Sequence, residues 1–298
     1  MVGRDSVESL RIGCVKYLNA RPLIGGWPGH VDFDHPSALC KRLANGELDV
    51  ALVSSFEFLR NPIYRIVNDV SISSDGPVYS VVVAHRGDIS EIKEIELDPA
   101  AETSVSLLRC ILAECRLKPR LFRNTDLQSV RPAGLQPAES QGAENISAGR
   151  TGNIPMFRAP RCARLLIGDQ AIRFRQKHGP EFRFWDLGEE WKKIVDLPFV
   201  YALWLVRPEV LDAKTIASRL RALRDENLAN IDELTATEKD FDRDFCARYY
   251  REHLRFSFGE MEKQGLHEFH KRCAELRLLP PEQLDLRAWD VEVPLRFI

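Results

Sequence analysis

The sequence predicts an α/β protein with a small-molecule site at the ends of its strands. Two observations carry this prediction. Short apolar runs typical of buried strands, at 12–15, 49–53 and 198–206, alternate along the chain with patterns of helical period. The first run ends abruptly in polar residues, among them Tyr17 and Asn19. Because ligands of open α/β sheets bind at the carboxyl ends of strands, these side chains are candidate ligand contacts.

Composition excludes several classes of protein. The chain has 298 residues, of which 44% are hydrophobic, so it can bury a large core divided over two domains. Its formal net charge of -2 provides no basic field that would attract nucleic acid or an acidic membrane. No run approaches the roughly 18 apolar residues of a membrane span. The polar first ten residues lack the apolar run of a secretory signal. The seven cysteines show no CxxC pair or zinc spacing, which indicates reduced thiols in a cytoplasmic protein without a bound metal.

The remaining elements follow in chain order. A helix is expected at 36–45, where Leu39 and Leu43 share one face and Gly46 follows the end, and another begins at Ser54 and Ser55. Further strands are expected at 80–84, 96–98, 121–122 and 165–167, and further helices near Thr103, from Gln170, and at 211–223, 225–242 and 260–276. This alternation predicts mostly parallel sheets with right-handed crossovers. The Ser-, Gly- and Pro-rich segment 124–160 predicts a long surface loop or a disordered insertion.

The polar residues at strand ends each have an ordinary structural alternative. The Asn19 amide offers a donor and an acceptor to a ligand, but Asn also bonds nearby backbone in turns. Helix capping is the simpler interpretation of Ser54 and Ser55. Ser80 opens an apolar strand and has neither the GxSxG context nor a partner His of a nucleophilic serine.

Two later positions also present polar groups. Thr103 and Ser104 begin a helix, where hydroxyls and free N–H groups suit a carboxylate or phosphate, although ordinary capping explains them equally. Asp169 follows the strand at 165–167 and suits either a ligand hydroxyl, a proton transfer or an N-cap. The chain has no GxGxxG or GxxxxGK[ST] loop and no HxxxH or HExxH pair, which argues against nucleotide-dependent and metal-dependent chemistry.

Seven segments in fixed order identify a family resemblance. They are RIGCVKYLNARPL, LANGELDVALVSSFEFL, DGPVYSVVV, LDPAAETSVSLLR, ARLLIGDQAI, LPFVYALWLVRPE and FSFGEMEKQGLHEFHKRC, spanning about residues 11–277. The set resembles the chorismate dehydratase family of the futalosine route to menaquinone. The resemblance implies a two-lobed type II periplasmic-binding-protein-like α/β fold with a central ligand cleft. Lobe I would take 1–78 and 197–298, lobe II would take 79–196, and the chain would cross between them near Tyr79 and 196–198.

The resemblance also implies an activity and a set of site residues. The family removes water from chorismate, as a carbon–oxygen lyase without a cofactor, and gives 3-[(1-carboxyvinyl)oxy]benzoate. The residues implied as catalytic are Asn19, Ser80 and Asp169, and those implied as substrate contacts are Tyr17, Ser54, Ser55, Thr103 and Ser104. The base is either Asp169 or a carboxylate of the substrate itself. The alternative function is a non-catalytic two-lobed binding protein for a small aromatic or carboxylic acid, and the chain is expected to be a monomer or homodimer.

Two features depart from the family pattern. Lys16 stands where family members often have Ser or another uncharged residue, so it either helps to bind a dicarboxylate or points away. The segment 124–160 is longer than expected between the strands of the second lobe.

Overall fold

A computed structural model of the chain describes residues 10–98, 101–123, 161–281, 284–286 and 290–291. The insertion predicted at 124–160 lies outside these ranges. Within them, the strands are β1 (Ile12–Cys14), β2 (Val31–Phe33), β3 (Val50–Ser54), β4 (Arg65–Ser74), β5 (Val81–His85), β6 (Glu94–Glu96), β7 (Arg120–Phe122), β8 (Cys162–Ile167), β9 (Arg183–Asp186) and β10 (Phe199–Val206). The helices are α1 (Arg21–Ile24), α2 (Pro36–Ala44), α3 (Ser55–Arg60), α4 (Glu102–Glu114), α5 (Gly168–His178), α6 (Leu187–Val195), α7 (Ala213–Ala229), α8 (Ile231–Thr235), α9 (Arg243–Arg248) and α10 (Glu260–Glu275).

The strands form two sheets of the same design. Sheet I has the order β2-β1-β3-β10-β4 and sheet II the order β7-β6-β8-β5-β9. In each sheet one strand has two parallel neighbours, β1 in sheet I and β6 in sheet II. The strands β10 and β5 instead run antiparallel to both of their neighbours. The prediction of mostly parallel sheets is therefore wrong for half of the pairings. The chain enters β5 and β10 from the other sheet, so no crossover helix within their own sheet sets their direction.

Strand β3 is buried along most of its length and ends in a polar residue at the site. The first four residues of β3 are buried, and only Ser54, the last residue of the strand, is partly accessible. A central strand covered on both faces reads as a continuous apolar run, which is why this strand is visible in the sequence. The change from apolar to polar residues marks the point where the strand leaves the sheet.

Strand β4 is absent from the sequence-based prediction because its apolar pattern is interrupted. Asp69 adopts a positive φ of 65°, and the pairing of β4 with β10 shifts register in this region. Such a bulge breaks the alternation of two residues per repeat from which a strand is predicted. The helix predicted at 225–242 is also wrong: α7 ends at Ala229, and Asn230 separates it from the short α8 because its backbone is not helical.

The first passage from sheet I to sheet II is held by one buried carboxylate. Asp186 accepts hydrogen bonds from the backbone N–H of Val78 at 3.0 Å and of Tyr79 at 2.8 Å. Tyr79 has a positive φ of 67°, and the Arg175 guanidinium lies 4.2 Å from the centre of its ring. These contacts fix the approach to β5 and therefore the position of Ser80.

Within the described ranges, none of the helices has the length and apolar character of a membrane span.

Candidate functional site

A cleft that is partly open to solvent lies between the two sheets. Its lining comes from the ends of β1, β3 and β8, from β4 and β10, from the start of β5 and from the first turns of α2, α4 and α5. Of the described residues that line it, only Glu102 carries a charge. Six predicted site residues line this cleft: Tyr17, Asn19, Ser54, Ser80, Thr103 and Ser104. An apolar cleft with a few hydrogen-bonding groups suits a small cyclic ligand.

Asn19 lines this cleft and carries an unpaired acceptor. It lies in the 3₁₀ turn Leu18–Ala20, and its Oδ1 is buried without a hydrogen-bond donor from the part of the chain that the structure describes. The alternative of an amide bonded to nearby backbone is therefore not found there. A buried polar atom left without a partner costs about 1–3 kcal/mol. An unpaired amide in a residue that lines the cleft makes Asn19 a candidate ligand contact.

Ser80 contributes a hydroxyl from the opposite sheet. It is fully buried directly before β5, and its Oγ accepts a hydrogen bond from the Tyr249 hydroxyl at 2.6 Å. Among the described residues, none accepts the proton of the Ser80 hydroxyl itself. The described residues therefore leave that proton unused, and Ser80 is one of the residues that line the cleft.

Ser54 and Thr103 join the two sides of the cleft. Their hydroxyl oxygens are hydrogen-bonded to each other, and Thr103 Oγ1 also accepts from the backbone N–H of Phe56 at 3.2 Å. The predicted capping role thus falls to a different residue: Ser54 makes no side-chain cap, and the cap of α3 comes from α4. Ser104, one residue further along α4, is buried and lines the cleft.

Tyr17 forms a wall of the cleft against Gly168. A Cβ at Gly168 would lie 3.1 Å from the Tyr17 ring, which is a crowded contact, and Gly168 has a positive φ of 55°, so the backbone favours glycine here. Burial, with the Asp98 and Asp169 carboxylates, raises the pKa of Tyr17 to about 12. The phenol is therefore neutral and acts as a hydrogen-bonding, apolar surface.

Two predicted site residues do not line the cleft. The Ser55 hydroxyl is fully buried and donates to the backbone carbonyl of Val200 at 2.7 Å, so it stabilises the contact between α3 and β10. Asp169 Oδ1 accepts from the backbone N–H of Leu18 at 2.8 Å. Burial raises the pKa of Asp169, and the hydrogen bond from Leu18 opposes this shift. Lys16 is exposed and also lies outside the lining.

A family model described as menaquinone biosynthesis matches residues 10–141 and 151–275. The chain belongs to the menaquinone biosynthesis family. Among curated relatives, the chorismate dehydratase of Thermus thermophilus is 27% identical over 280 residues, which cover 87% of this chain and 93% of the relative. The family resemblance seen in the sequence is thereby confirmed.

Solved structures share the fold of this family member. Protein AF1704 of Archaeoglobus fulgidus aligns with a TM-score of 0.64 and 16% identity, covering 91% of this chain and 98% of that protein. The periplasmic aliphatic sulphonate binding protein SsuA of Escherichia coli aligns with a TM-score of 0.60 and 14% identity, covering 94% of this chain and 96% of that protein. The Candida albicans protein CA3427 is described as having the generic periplasmic binding protein fold. It aligns with a TM-score of 0.56 and 11% identity, covering 97% of this chain and 98% of that protein. The predicted periplasmic-binding-protein-like fold is confirmed.

Three tyrosines at the site of this family member escaped prediction from sequence. Tyr201 lines the cleft from β10, and its hydroxyl lies 3.1 Å from Ser74 Oγ. Tyr249 contacts Ser80, and Tyr250 donates to the backbone carbonyl of Leu18 at 3.0 Å. Tyr201 lies within an apolar strand, where a single phenol is an ordinary core residue. The adjacent pair Tyr249 and Tyr250 is the one local signal, and it follows a stretch with no clear helical or strand period.

The charge at the rim of the cleft is balanced by one arginine. Arg60 Nη1 lies 2.9 Å from Glu102 Oε2, and the same guanidinium pairs with the buried carboxylate of Glu57. Asn61 Nδ2 also donates to Glu57, at 3.0 Å. Arg60 therefore offsets the one charge among the described lining residues, which matters for a ligand that is itself an anion.

Proposed function

We propose that this chain is a chorismate dehydratase, a carbon–oxygen lyase that removes water from chorismate. The observation that carries the proposal is the convergence of Asn19, next to sheet I, and Ser80, next to sheet II, on one nearly uncharged cleft. The curated relative of that name supports it, with 27% identity over 87% of the chain. The two sheets would be the cores of two lobes that meet at Tyr79 and 196–198. We expect the reaction to take place in the cytoplasm and to need no cofactor.

The proposed reaction breaks one C–H and one C–O bond of the substrate ring. The carbon that bears the enolpyruvyl ether loses a proton to a base, and its electron pair forms a ring double bond. The neighbouring carbon loses its hydroxyl, which takes up the proton that the base has removed and leaves as water. The product is the aromatic 3-[(1-carboxyvinyl)oxy]benzoate, and aromatisation supplies the driving force.

The cleft residues suit the hydrogen bonds that this reaction requires. Ser80 has a free proton for the departing hydroxyl, and the unpaired Oδ1 of Asn19 can accept from a substrate hydroxyl. Thr103 and Ser104 stand in the first turn of α4, where free backbone N–H groups favour a carboxylate. Tyr17 would pack against the ring. Positioning of this kind contributes several kcal/mol to catalysis.

We assign the base to the substrate rather than to Asp169. The carboxylate of Asp169 receives the N–H of Leu18 and is not part of the cleft lining. The enolpyruvyl carboxylate is attached to the reacting carbon through the ether oxygen, so it can reach the C–H within one molecule. The remaining task of Asp169 is to hold the turn that carries Asn19.

Replacement of Asp169 by Asn should leave kcat within about threefold of the wild type, because the amide Oδ1 can still accept from Leu18 N–H. Asp169→Ala, which loses that hydrogen bond, should lower kcat further. Burial raises the pKa of Asp169, so if it were the base, activity would fall as pH drops through that raised pKa. A substrate carboxylate, with a pKa of about 3–4, should instead keep kcat level down to about pH 5. Steady-state kinetics of both variants between pH 5 and 8 test this, and a large loss of kcat in Asp169→Asn would restore Asp169 as the base.

The function itself is tested by incubating purified protein with chorismate. We expect the absorbance of an aromatic ring to appear with the stoichiometric loss of chorismate and the mass of the product to be lower by one water. A protein that binds an aromatic acid tightly but forms no product would instead be the non-catalytic binding protein.

Substitutions of Arg60 and Glu102 should affect KM differently. Arg60→Gln leaves the Glu102 carboxylate uncompensated, so KM for a dianionic substrate should rise about fivefold at low ionic strength. Glu102→Gln should leave KM unchanged or lower it, although both changes remove the same ion pair. Steady-state assays at two salt concentrations check the result. They are run well below the melting temperature, because Arg60→Gln also removes the charged partner of the buried Glu57. Equal rises in KM would mean that the ion pair is only structural.

A further inference from the structure

We propose that Tyr249 and Tyr250 are positioning residues that aim the two polar groups of the reaction, Ser80 and Asn19, at one point of the cleft. This inference rests on the proposed function. The two tyrosines belong to the π-helical segment Tyr249–His253, which directly follows α9. Segments of π-helix are rare and frequently occur at functional sites. Neither tyrosine is among the residues that line the cleft, so each would act through the residue that it holds.

Tyr249 fixes the direction of the Ser80 proton. A serine hydroxyl rotates freely and can donate to whichever acceptor is nearest. Here the Tyr249 hydroxyl donates to Ser80 Oγ at 2.6 Å, which occupies one lone pair of that oxygen. No described residue accepts from Ser80 in return. The serine proton therefore points away from Tyr249, and in this proposal it serves the cleft that Ser80 lines.

The phenol that gives this hydrogen bond is itself rigid and stays protonated. The Tyr249 ring stacks on Phe245 with 5.8 Å between ring centres and 10° between planes, and it meets Tyr79 edge-on at 6.5 Å. It is fully buried, and burial raises its pKa well above the ordinary value. Tyr249 thus remains a donor over the whole working range of pH. The orientation of Ser80 is built in before substrate binds.

Tyr250 performs the corresponding task for Asn19. Its hydroxyl donates to the backbone carbonyl of Leu18 at 3.0 Å, while Asp169 accepts from the N–H of the same residue at 2.8 Å. Both polar backbone groups of Leu18 are therefore held by side chains distant in the sequence. Leu18 precedes Asn19 in the turn, so these two bonds hold the backbone from which the Asn19 side chain projects.

One short helical segment thus couples groups on both sides of the cleft. Ser80 stands directly before β5 of sheet II, and Asn19 follows β1 of sheet I. Adjacent tyrosines fix the distance between the two groups because their own backbone is continuous. A hydrogen bond that is already oriented needs no reorganisation in the transition state, so its loss affects kcat more than substrate binding.

The test is a double-mutant cycle on Tyr249 and Ser80. Tyr249→Phe keeps the ring and removes only the hydroxyl, and we expect kcat to fall about tenfold with KM within twofold. In an Ser80→Ala background the same change should have no further effect on kcat, because there is no hydroxyl left to orient. Tyr250→Phe should also lower kcat. It should do so by the same factor in the wild-type and Ser80→Ala backgrounds, because it acts through Asn19 and not through Ser80. Circular dichroism and melting temperature establish that each variant is folded.

The controls separate this inference from the proposed function. Tyr64→Phe removes the hydroxyl of another buried tyrosine, outside the cleft lining, and should leave kcat unchanged. If the wild type does not convert chorismate, the proposed function fails. If the wild type is active but Tyr249→Phe retains full kcat, or loses activity equally with and without Ser80, the positioning role is overturned.

Discussion

Replacement of Asn19 by Leu should lower kcat/KM about a hundredfold while raising the free energy of unfolding by about 1 kcal/mol. The two effects have opposite signs because Asn19 carries a cost in the free protein. Its buried Oδ1 has no donor from the described residues, and an apolar side chain of similar volume has no such atom to satisfy. Stability and function are therefore in conflict at this position, as is common where a site is organised for a ligand.

The activity loss follows from the same atom. In the complex, a substrate group that met the Asn19 amide would face a methyl group and lose its partner inside an apolar cleft. An unpaired polar group in such a place costs about 1–3 kcal/mol, and misplacement of the ring adds to it, so a factor of about a hundred is expected. Urea unfolding and steady-state kinetics on the same preparation measure both effects.

A change of similar chemistry outside the cleft serves as the control. Asn230→Leu removes an exposed amide whose Nδ2 donates to the carbonyl of Glu226 at the end of α7. It should leave kcat/KM unaltered. If Asn19→Leu lost stability and activity together, Asn19 would be an ordinary turn residue, which is the alternative that the sequence alone left open.

The sequence predicts the parts of this site that depend on local pattern. The ends of β1 and β3 are visible because an apolar strand changes abruptly to polar residues, and that change places Asn19 and Ser54 at the cleft. Local pattern does not distinguish Ser54 from its neighbour Ser55. That distinction depends on Thr103, which bonds Ser54 across the cleft, and on the carbonyl of Val200, which takes the Ser55 hydroxyl.

The supporting contacts lie beyond the reach of local pattern. The bond from Tyr249 to Ser80 joins residues 169 positions apart, and that from Asp169 to Leu18 joins residues 151 positions apart. A strand end looks the same in the sequence whether its polar side chain meets a ligand or the backbone of another element. For this reason Asp169 is a candidate base in the sequence, whereas in the fold its carboxylate accepts a hydrogen bond from the backbone N–H of Leu18.

Replacement of Gly265 by Ala should destabilise the protein by about 3 kcal/mol, although Ala is the better helix former. Gly265 lies within α10, where Gly costs about 1 kcal/mol relative to Ala. A Cβ at this position would lie 2.0 Å from the carbonyl oxygen of Pro198. No rotation relieves a contact between a Cβ and a backbone oxygen, so the helix must move by more than an ångström.

A shift of α10 would disturb its packing against two other elements. Helix α10 contacts β10 of sheet I and α4, whose first turn lines the cleft. Overpacking of this kind costs about 1–3 kcal/mol or more, which exceeds the gain in helix propensity and sets the sign of the effect. The neighbouring substitution Gln264→Ala, on the exposed face of the same helix, should change stability by less than about 0.5 kcal/mol. The midpoints of urea unfolding, compared at an unchanged m value, distinguish Gly265→Ala from Gln264→Ala. A Gly265→Ala protein as stable as the wild type would show that α10 can shift away from Pro198 without cost.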